Sequence, residues 1–387
     1  MFVYVYIFTP ARKAGDFYLK KNMRNGYTTG ACAAAGAKAA LLFLQGEKCD
    51  CVSITALDGT ELDIPIQSLY FIPQGAKAEV IKDSGDDPDI TNGASVYTSV
   101  KLLPGKPGIR FKAGRGIGTV TKPGLAVPVG EPSINPGPRK LIANEIYTVL
   151  EASQGCEVEI SIPAGEDLAK RTLNPILGIQ GGISVIGTTG IVRPMSEEGF
   201  KNSLLPQIDV AKAAGFNTLI FVPGKIGETI AVKQCGLPAA AMVQTSNFIG
   251  FMLEAAAERK IERVLLFGHI GKLIKVAAGV FYTHNRIADA RLETMAAYAA
   301  QQGLPAAGVE RILAAATTED AMTVIEEYSL QKVYEILTAR ASLRAERYTF
   351  GRLKTGTVMV TLKGKILGMD STAKEIGRDL HWNIKSL

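Results

Sequence analysis

Cysteine is scarce in this chain of 387 residues, which contains only five. They are scattered, and no Cys-x-x-Cys pair or His/Cys cluster accompanies them: Cys32, Cys49, Cys51, Cys156 and Cys235. This distribution argues against a disulfide framework and against a structural zinc site. We interpret the cysteines as small apolar side chains in a reducing compartment, and we expect no metal centre.

Long hydrophobic runs are also missing. The apolar opening at residues 2–8 is far shorter than the roughly 20 residues needed to span a bilayer. It lacks the basic region and the small-residue cleavage site of a signal peptide. We therefore expect a cytoplasmic protein without membrane contact.

Charge of one sign does not accumulate anywhere in the sequence. The chain has 43 basic and 37 acidic residues, a formal net charge of +6, and the basic residues are dispersed. Nucleic acid binding normally leaves a denser basic footprint, so we expect no nucleic acid partner. The mild positive excess is compatible with a polyanionic small molecule and equally with a role in solubility alone.

The first half of the sequence has the pattern of an α+β domain. Residues 24–44 run from a Gly/Thr turn into a stretch that is nearly all Ala, Gly or Leu, which predicts a helix buried on most sides. Residues 52–57 and 61–66 flank Asp58-Gly59, a strong hairpin signal. Further strands are predicted at 76–81, 95–102, 109–112 and 157–162, and a helix at 138–152. The Pro/Gly-rich residues 114–138 predict a long ordered loop or a set of short strands.

The second half changes character. Its apolar runs are continuous and not alternating, as expected of parallel strands covered on both faces: 182–186, 218–222 and 263–267. Each run ends in a glycine turn, and helical patterns follow at 197–214, 248–259, 273–280 and 291–301. This order predicts a Rossmann-like, doubly wound, mostly parallel sheet with ligands at the carboxyl ends of its strands.

The domain boundary is expected near residues 163–176, which gives an α+β domain at 23–170 and an α/β domain at 171–387. The last part of the second domain predicts a helix near 320–344, followed by a hairpin of 357–362 and 365–369.

The start of the predicted helix near residue 29 is a candidate anion site. Its unpaired N-terminal amides would point out of the core beside Thr28 and Thr29. The alternative is a simple N-cap on a core helix.

An acidic segment is a second candidate. Four carboxylates fall within seven residues, Asp83, Asp86, Asp87 and Asp89, and they repel one another unless a cation or a set of amides offsets them. A solvated acidic turn remains the alternative. The segment lacks the terminal glutamate of an EF-hand, so calcium is not expected.

The third candidate lies between residues 268 and 291. Two of the three histidines in the chain, His269 and His284, occur here with Lys272, Lys275 and Arg286. Basic groups on either side of an apolar helix could hold several carboxylates around a flat apolar ligand. For His269 a structural hydrogen-bonding role stays open beside a catalytic one.

Five segments, taken together, resemble one known family. They are 24–30 (Arg-Asn-Gly-Tyr-Thr-Thr-Gly), 83–93 (Asp-Ser-Gly-Asp-Asp-Pro-Asp-Ile-Thr-Asn-Gly), 123–136 (Pro-Gly-Leu-Ala-Val-Pro-Val-Gly-Glu-Pro-Ser-Ile-Asn-Pro), 182–196 (Gly-Ile-Ser-Val-Ile-Gly-Thr-Thr-Gly-Ile-Val-Arg-Pro-Met-Ser) and 268–289, which opens with Gly-His-Ile-Gly-Lys-Leu and closes with Thr-His-Asn-Arg-Ile-Ala-Asp. They closely resemble the CbiD family and occur in the family's order, whereas residues 1–22 do not match it. The resemblance therefore implies that residues 1–22 are an N-terminal extension, with Met23 as an alternative start.

The resemblance implies methyl transfer from S-adenosylmethionine to C1 of cobalt-precorrin-5B, giving cobalt-precorrin-6A in anaerobic cobalamin biosynthesis. The partner is then a cobalt corrinoid, a macrocycle with acetate and propionate arms that suits a positively charged protein. The glycine-rich, acidic signature of common S-adenosylmethionine methyltransferases is absent from the chain. Methyl transfer to a ring carbon needs in-line placement above all and no protein nucleophile.

Site residues follow from the turns and from this resemblance. We expect S-adenosylmethionine at Gly187, Thr188, Thr189 and Gly190, with Gly268 and His269 at the neighbouring strand end. Carboxylates of the macrocycle are expected at Lys272, Arg286 and Arg139, with Thr28 and Thr29 as further substrate contacts. A proton acceptor, if the reaction uses one, is expected among His269, Asp83, Asp86 and Asp87.

Two alternatives remain open at this point. The predicted sheet and its turns also suit a dinucleotide-dependent oxidoreductase, although neither Gly-x-Gly-x-x-Gly nor a P-loop occurs. A non-catalytic corrinoid carrier would bind the macrocycle without any affinity for S-adenosylmethionine. The sequence also leaves a homo-oligomer open.

Overall fold

The structure is a computed structural model that describes residues 23–151 and 153–383. The expected extension, residues 1–22, lies outside the described residues. The chain divides into two units after Ser203.

Short strands dominate the first unit. Its strands are β1 Gly26–Tyr27, β2 Cys51–Thr55, β3 Glu61–Pro65, β4 Ser68–Ile72, β5 Gly75–Ile81, β6 Ser95–Leu103, β7 Gly108–Ala113, β8 Gly116–Ile117, β9 Thr119–Val120, β10 Gly155–Ser161, β11 Ile179–Gln180, β12 Gly182–Ile183 and β13 Ile191–Val192. Its helices are α1 Thr29–Leu44, α2 Pro136–Ile146, α3 Gly165–Ala169 and α4 Glu197–Leu204, the last of which crosses the division.

Helix α1 is the centre of the first unit, as its small apolar side chains predict. Its residues from Thr29 to Ala37 are all buried, and it packs against α2 and against strands β5 and β6. These strands belong to a mixed five-stranded sheet of order β4-β5-β6-β10-β7, in which only the β10–β7 pair is parallel. Alanine and glycine on the helix allow this close approach to the sheet because they add little side-chain bulk.

Most predicted elements of this unit are confirmed. The hairpin is β2–β3, the four predicted strands are β5, β6, β7 and β10, and the predicted helix is α2. The Pro/Gly-rich residues 114–138 include the short strands β8 and β9, in agreement with the interpretation as a set of short strands. Strand β4 was missed because it is an edge strand that exposes Tyr70 and Phe71, so it carries no buried apolar run.

The apolar run 182–186 was expected to be a strand of the α/β sheet, which is wrong. A strand forms only at Gly182–Ile183, and this β12 pairs in parallel with β8 inside the first unit. Likewise β11 pairs with β9, and β13 pairs with β1. Because these pairings tie residues 179–192 to earlier strands, the division falls after Ser203, further along the chain than the expected 170/171 boundary.

The second unit alternates strands and helices. Its strands are β14 Thr218–Val222, β15 Met242–Gln244, β16 Arg263–His269, β17 Lys354–Val360 and β18 Ile366–Met369. Its helices are α5 Pro206–Ala213, α6 Lys225–Lys233, α7 Ile249–Glu258, α8 Ile270–Ala277, α9 Arg291–Gln301, α10 Ala306–Leu313, α11 Thr318–Glu327, α12 Lys332–Tyr348 and α13 Ser371–Asp379.

The sheet of the second unit is mixed, with the order β15-β14-β16-β17-β18. The first four strands are parallel, and β18 adds an antiparallel edge through the predicted hairpin with β17. Continuous apolar runs such as Thr218–Val222 are buried along their whole length, as expected for parallel strands covered by helices.

Two predicted helices are each split in the structure. The pattern at 197–214 forms α4 and α5, because Pro206 has no N–H to continue the hydrogen-bond ladder. The pattern near 320–344 forms α11 and α12, which are separated at Ser329, a residue with φ of 56°. No helix among the described residues is long and apolar enough to cross a membrane.

Candidate active site

The N-terminus of α1 is capped by its own neighbours. Thr28 Oγ1 accepts a hydrogen bond from the amide of Ala31 at 3.1 Å, and the amide of Gly30 donates to the carbonyl of Ile186 at 3.0 Å. The Thr29 hydroxyl accepts from the amide of Ile186 at 3.0 Å. Thr28 and Thr29 are 1% and 2% exposed, so both hydroxyls serve this internal junction.

The turn at residues 187–190 packs onto that junction. A Cβ on Gly187 would collide with the Thr28 side chain, and the carbonyl of Thr189 accepts from the amide of Leu57 at 2.8 Å. Thr188 is exposed. No residue in the described part of the chain accepts a hydrogen bond from the backbone amides of residues 187 to 190. The turn therefore presents unpaired N–H groups, with Thr188 as its exposed residue.

The acidic segment is offset by cations and amides of the same unit. Arg24 donates to both carboxylate oxygens of Asp83, at 2.5 and 2.8 Å, and this interaction lowers the pKa of Asp83. Asp86 accepts from the amide of Arg24 at 2.7 Å, and Asp87 accepts from the amide of Met195 at 2.9 Å. Asp87 is buried, whereas Asp86 is exposed.

A buried ion pair supports the same segment from inside. Lys82 is 2% exposed and donates to Asp89 at 2.7 Å and to Ser84 at 2.5 Å. Burial alone would raise the pKa of Asp89, but the charge of Lys82 and the hydrogen bonds from Thr91 outweigh it and lower that pKa. Cations and amides of the chain thus offset the repulsion between these carboxylates, and a role of the segment in the reaction stays a prediction.

Arg139 is also engaged within the first unit. Its guanidinium donates to the carbonyl of Ile134 at 2.9 Å and to Glu131 at 3.2 Å, and it lies over the Phe111 ring at 5.3 Å. Its expected role as a carboxylate contact therefore stays a prediction.

In the second unit the carboxyl ends of β14 and β16 adjoin each other. A Cβ on Gly227 would lie 3.2 Å from the Cα of Gly268, and a Cβ on Gly268 would lie 3.0 Å from Pro223. Any larger residue would be tightly packed at these positions, because the start of α6 closely approaches the end of β16. No side chain caps the N-terminus of α6, and Gly224 to Ile226 are exposed there.

Lys272 bridges the ends of two strands. Its ammonium donates to Asn247 Oδ1 at 2.8 Å, beyond the end of β15, and to the carbonyl of Pro223 at 3.3 Å, beyond the end of β14. Burial, with the charge of Lys275 added, lowers the pKa of Lys272 to about 8. Among the described residues, no carboxylate forms an ion pair with Lys272.

Lys275, one turn further along α8, is fully saturated. It is 0% exposed, and its ammonium donates to Asn285 Oδ1 at 2.6 Å and to the carbonyls of Ala288 and Thr283 at 2.9 and 3.2 Å. An ammonium has three N–H donors, so none is left for a ligand. Lys275 therefore fixes the loop that follows α8.

His269 caps α8. Its Nδ1 accepts from the amide of Gly271 at 3.1 Å, which leaves the proton on Nε2 to be donated to Glu319 at 3.1 Å. Burial alone would raise the pKa of Glu319, but hydrogen bonds from the Leu362 amide and from His269 lower it. Both ring nitrogens of His269 are therefore engaged within the second unit.

The loop after α8 adds positive charge to these strand ends. The amide of Arg286 donates to His284 Nδ1 at 3.2 Å, and the Arg286 side chain is exposed. Burial lowers the pKa of His284, and the neighbouring cations Arg286, Lys272 and Lys275 lower it further. We call Pro223, Asn247, Gly268, His269 and Lys272 the strand-end site.

The predicted residues therefore form two groups. The turn 187–190 lies with Thr28, Thr29 and the acidic segment in the first unit, whereas Gly268, His269 and Lys272 belong to the second unit. The expectation that the turn ends a strand neighbouring Gly268 is wrong, because residues 182–186 are not part of that parallel sheet. Pro223 opens one of the glycine turns that were expected at the strand ends. Asn247 was missed, because the strand before it, β15, has only three residues and gives a weak signal.

Comparison with known families gives two matches. Residues 18–194 match the family described as CbiD, and residues 282–371 match the family described as CbiD, C-terminal domain.

Curated relatives match nearly the whole chain. A Cobalt-precorrin-5B C(1)-methyltransferase from Moorella thermoacetica is 50% identical over 361 residues, which are 93% of this chain and 98% of that protein. Proteins of the same name from Desulfitobacterium hafniense and Methanocaldococcus jannaschii are 45% and 46% identical, over 94% and 90% of this chain and 94% and 97% of their own lengths. A crystal structure of a cobalamin biosynthesis protein (cbiD) from Archaeoglobus fulgidus is 26% identical, covering 66% of this chain and 80% of that one, with a TM-score of 0.36.

Proposed function

The chain belongs to the CbiD family, and from that premise we propose that it methylates C1 of cobalt-precorrin-5B in cobalamin biosynthesis. The observation that carries this proposal is 50% identity to a protein of that name over 93% of the chain. At such identity over the full length, both the fold and the residues of a site are normally retained.

We further propose that S-adenosylmethionine is the methyl donor. When bound, it supplies a methyl group on a positively charged sulfur, whose bond to that methyl breaks as the bond to C1 forms. The residues present fit such a ligand, because the start of α6 has no side-chain cap, is exposed at Gly224 to Ile226, and offers its N–H groups to a carboxylate.

The strand order of the second unit supports placing a ligand at the strand-end site. In the sheet, β15 lies on one side of β14 and β16 lies on the other. The chain runs from β14 to β15 and then crosses over to β16, so the direction of the strand order reverses between β14 and β16. In doubly wound sheets such a reversal opens a crevice at the carboxyl ends of the strands, where ligands bind. We propose that this unit works as a Rossmann-like domain with that crevice as its site.

Carboxylates of the ligands are held by Lys272 and Arg286 in this proposal. Lys272 keeps one N–H donor, and Arg286 is exposed on the loop that follows α8. The turn 187–190, with its unpaired amides and exposed Thr188, is a second place for the methyl donor.

A proton acceptor, if the reaction uses one, is best sought at Asp86. Of the four predicted acceptors, His269 has both nitrogens engaged, Asp83 is paired with Arg24, and Asp87 is buried. Asp86 is exposed.

Thermal unfolding with added ligands tests the donor. S-adenosylhomocysteine at about 100 times its dissociation constant should stabilise the folded protein by about 2.7 kcal/mol, because it binds only the folded state. NADH at the same concentration serves as the control and should leave the unfolding temperature unchanged. Stabilisation by NADH together with none by S-adenosylhomocysteine would favour an oxidoreductase instead.

A further inference from the structure

Helix α8 carries two lysines whose hydrogen-bond acceptors are all neutral oxygens. Lys272 donates to Asn247 Oδ1 and a carbonyl, and Lys275 donates to Asn285 Oδ1 and two carbonyls. Within the described part of the chain, neither ammonium forms an ion pair with a carboxylate. A lysine in such surroundings normally has an acidic partner, since an uncompensated charge is costly to bury.

The two lysines differ in what they have left to offer. Lys275 uses all three N–H donors, whereas Lys272 uses two. Lys272 is also the one at the strand-end site, between the ends of β14 and β15. A positive charge with a spare donor is therefore available there.

Asn247 is itself held in place. Its carbonyl accepts from the amide of Thr283 at 2.9 Å, and the ring of the next residue, Phe248, lies 4.8 Å from the ring of Tyr282. It follows Ser246, which has a φ of 52°, a conformation that non-glycine residues rarely adopt. The backbone thus presents the Asn247 side chain to Lys272 in one arrangement.

We propose that Asn247 determines the specificity of the strand-end site: it positions the Lys272 ammonium without neutralising it, so that the site selects a carboxylate. The identity of the carboxylate rests on the proposed function. It is either the amino-acid end of the methyl donor or an acetate or propionate arm of the macrocycle.

The decisive variant is Asn247→Asp. It preserves the shape of the side chain and its acceptor oxygen, but it places a carboxylate at the Lys272 ammonium, where it competes with the ligand. We expect the affinity for the carboxylate ligand to fall roughly 10- to 100-fold, the range that corresponds to a hydrogen bond with a charged group.

The matched control is Asn285→Asp. It introduces the same charge beside the other lysine of α8, whose donors are already saturated. We expect a much smaller loss of affinity than with Asn247→Asp. Equal losses in the two variants would show a general effect of added negative charge and would overturn the proposal.

Three ligands distinguish the two sources of the carboxylate. Loss of affinity for S-adenosylhomocysteine, with 5′-methylthioadenosine binding unchanged, assigns the site to the donor, because methylthioadenosine lacks the amino-acid carboxylate. Loss of corrinoid affinity alone assigns it to the macrocycle. Unchanged binding of all three by folded Asn247→Asp protein contradicts the proposal.

Further measurements keep the result interpretable. Circular dichroism reports whether Asn247→Asp folds, and Lys272→Gln should reproduce its loss of affinity by removing the charge directly. Titration of the Lys272 amine by NMR should give a higher pKa in Asn247→Asp, which shows that the new carboxylate reaches the ammonium. Methylation by the unaltered protein is measured alongside, so that failure of the proposed function is seen separately.

Discussion

At the scale of single residues, hydrogen bonding distinguishes side chains that support the fold from side chains that can still bind a ligand. Thr28, Thr29 and Lys275 all looked like ligand contacts in the sequence, yet each is buried and bonded within its own unit. Lys272 and Lys275 have the same residue type, helix and charge, and the sequence gives no means of telling them apart. Only the positions of the surrounding carbonyls show that Lys272 keeps a donor.

The cap of α1 gives a direct prediction at this scale. Thr28→Ala should lower the free energy of unfolding by about 1–2 kcal/mol, because the amide of Ala31 loses its acceptor in a buried position. Urea unfolding of the full chain measures this loss. Thr28→Ser keeps the hydroxyl and should lose clearly less; an equal loss would mean that packing of the methyl group, not the cap, is responsible.

The pH dependence of ligand binding tests the charge of Lys272. Its pKa of about 8 lies below the ordinary value of 10.5, so the ammonium loses its proton as pH rises through that region. Affinity for the carboxylate ligand should therefore fall above about pH 8. His284 does not contribute there, because its pKa is lowered from 6.5 and it is already neutral.

Calorimetry measures the affinity for the carboxylate ligand across this pH range, and the fall above about pH 8 should be absent from Lys272→Gln. A fall of the same size in Lys272→Gln would assign the titration to another group, with Lys275 the first to examine.

At the scale of elements, sequence patterns succeed where local composition and packing agree. The apolar α1, the hairpin β2–β3 and the buried runs of β14 and β16 were all predicted. The pattern fails at residues 182–186, since an apolar run does not specify its partner and β12 pairs with β8. It also overlooks the end of a helix at Pro206, where one amphipathic pattern covers two helices.

The buried pair of Lys82 and Asp89 joins the end of β5 to the acidic segment. The prediction at the scale of elements is the loss of stability when this ion pair is removed. Lys82→Met should lower the free energy of unfolding by about 3–5 kcal/mol at neutral pH, because Asp89 is left buried without its cation. The deficit should shrink on acidification, since the pKa of the unpaired Asp89 then rises and protonation relieves its charge.

Urea unfolding at neutral and acidic pH measures both effects. Arg24→Met removes the exposed pair with Asp83 and serves as the matched control, with a much smaller expected change. Equal changes in the two variants would contradict the structural importance of the buried pair.

For the whole molecule, the two units contribute different kinds of group. The first unit gathers the 24–30, 83–93 and 182–196 segments around the start of α1, and the second gathers the cations of the 268–289 segment at its strand ends. The sequence predicted the members of both groups through the family resemblance. It could not predict that the turn 187–190 belongs to the first unit, because that assignment depends on strand pairing between distant residues.

The most direct test of the central claim is incubation of the protein with methyl-labelled S-adenosylmethionine and cobalt-precorrin-5B, followed by mass and NMR analysis of the ring. The proposed function predicts a macrocycle with one added labelled methyl group on C1 and an equal amount of S-adenosylhomocysteine. Recovery of the bound corrinoid without any label would contradict it and would favour a carrier.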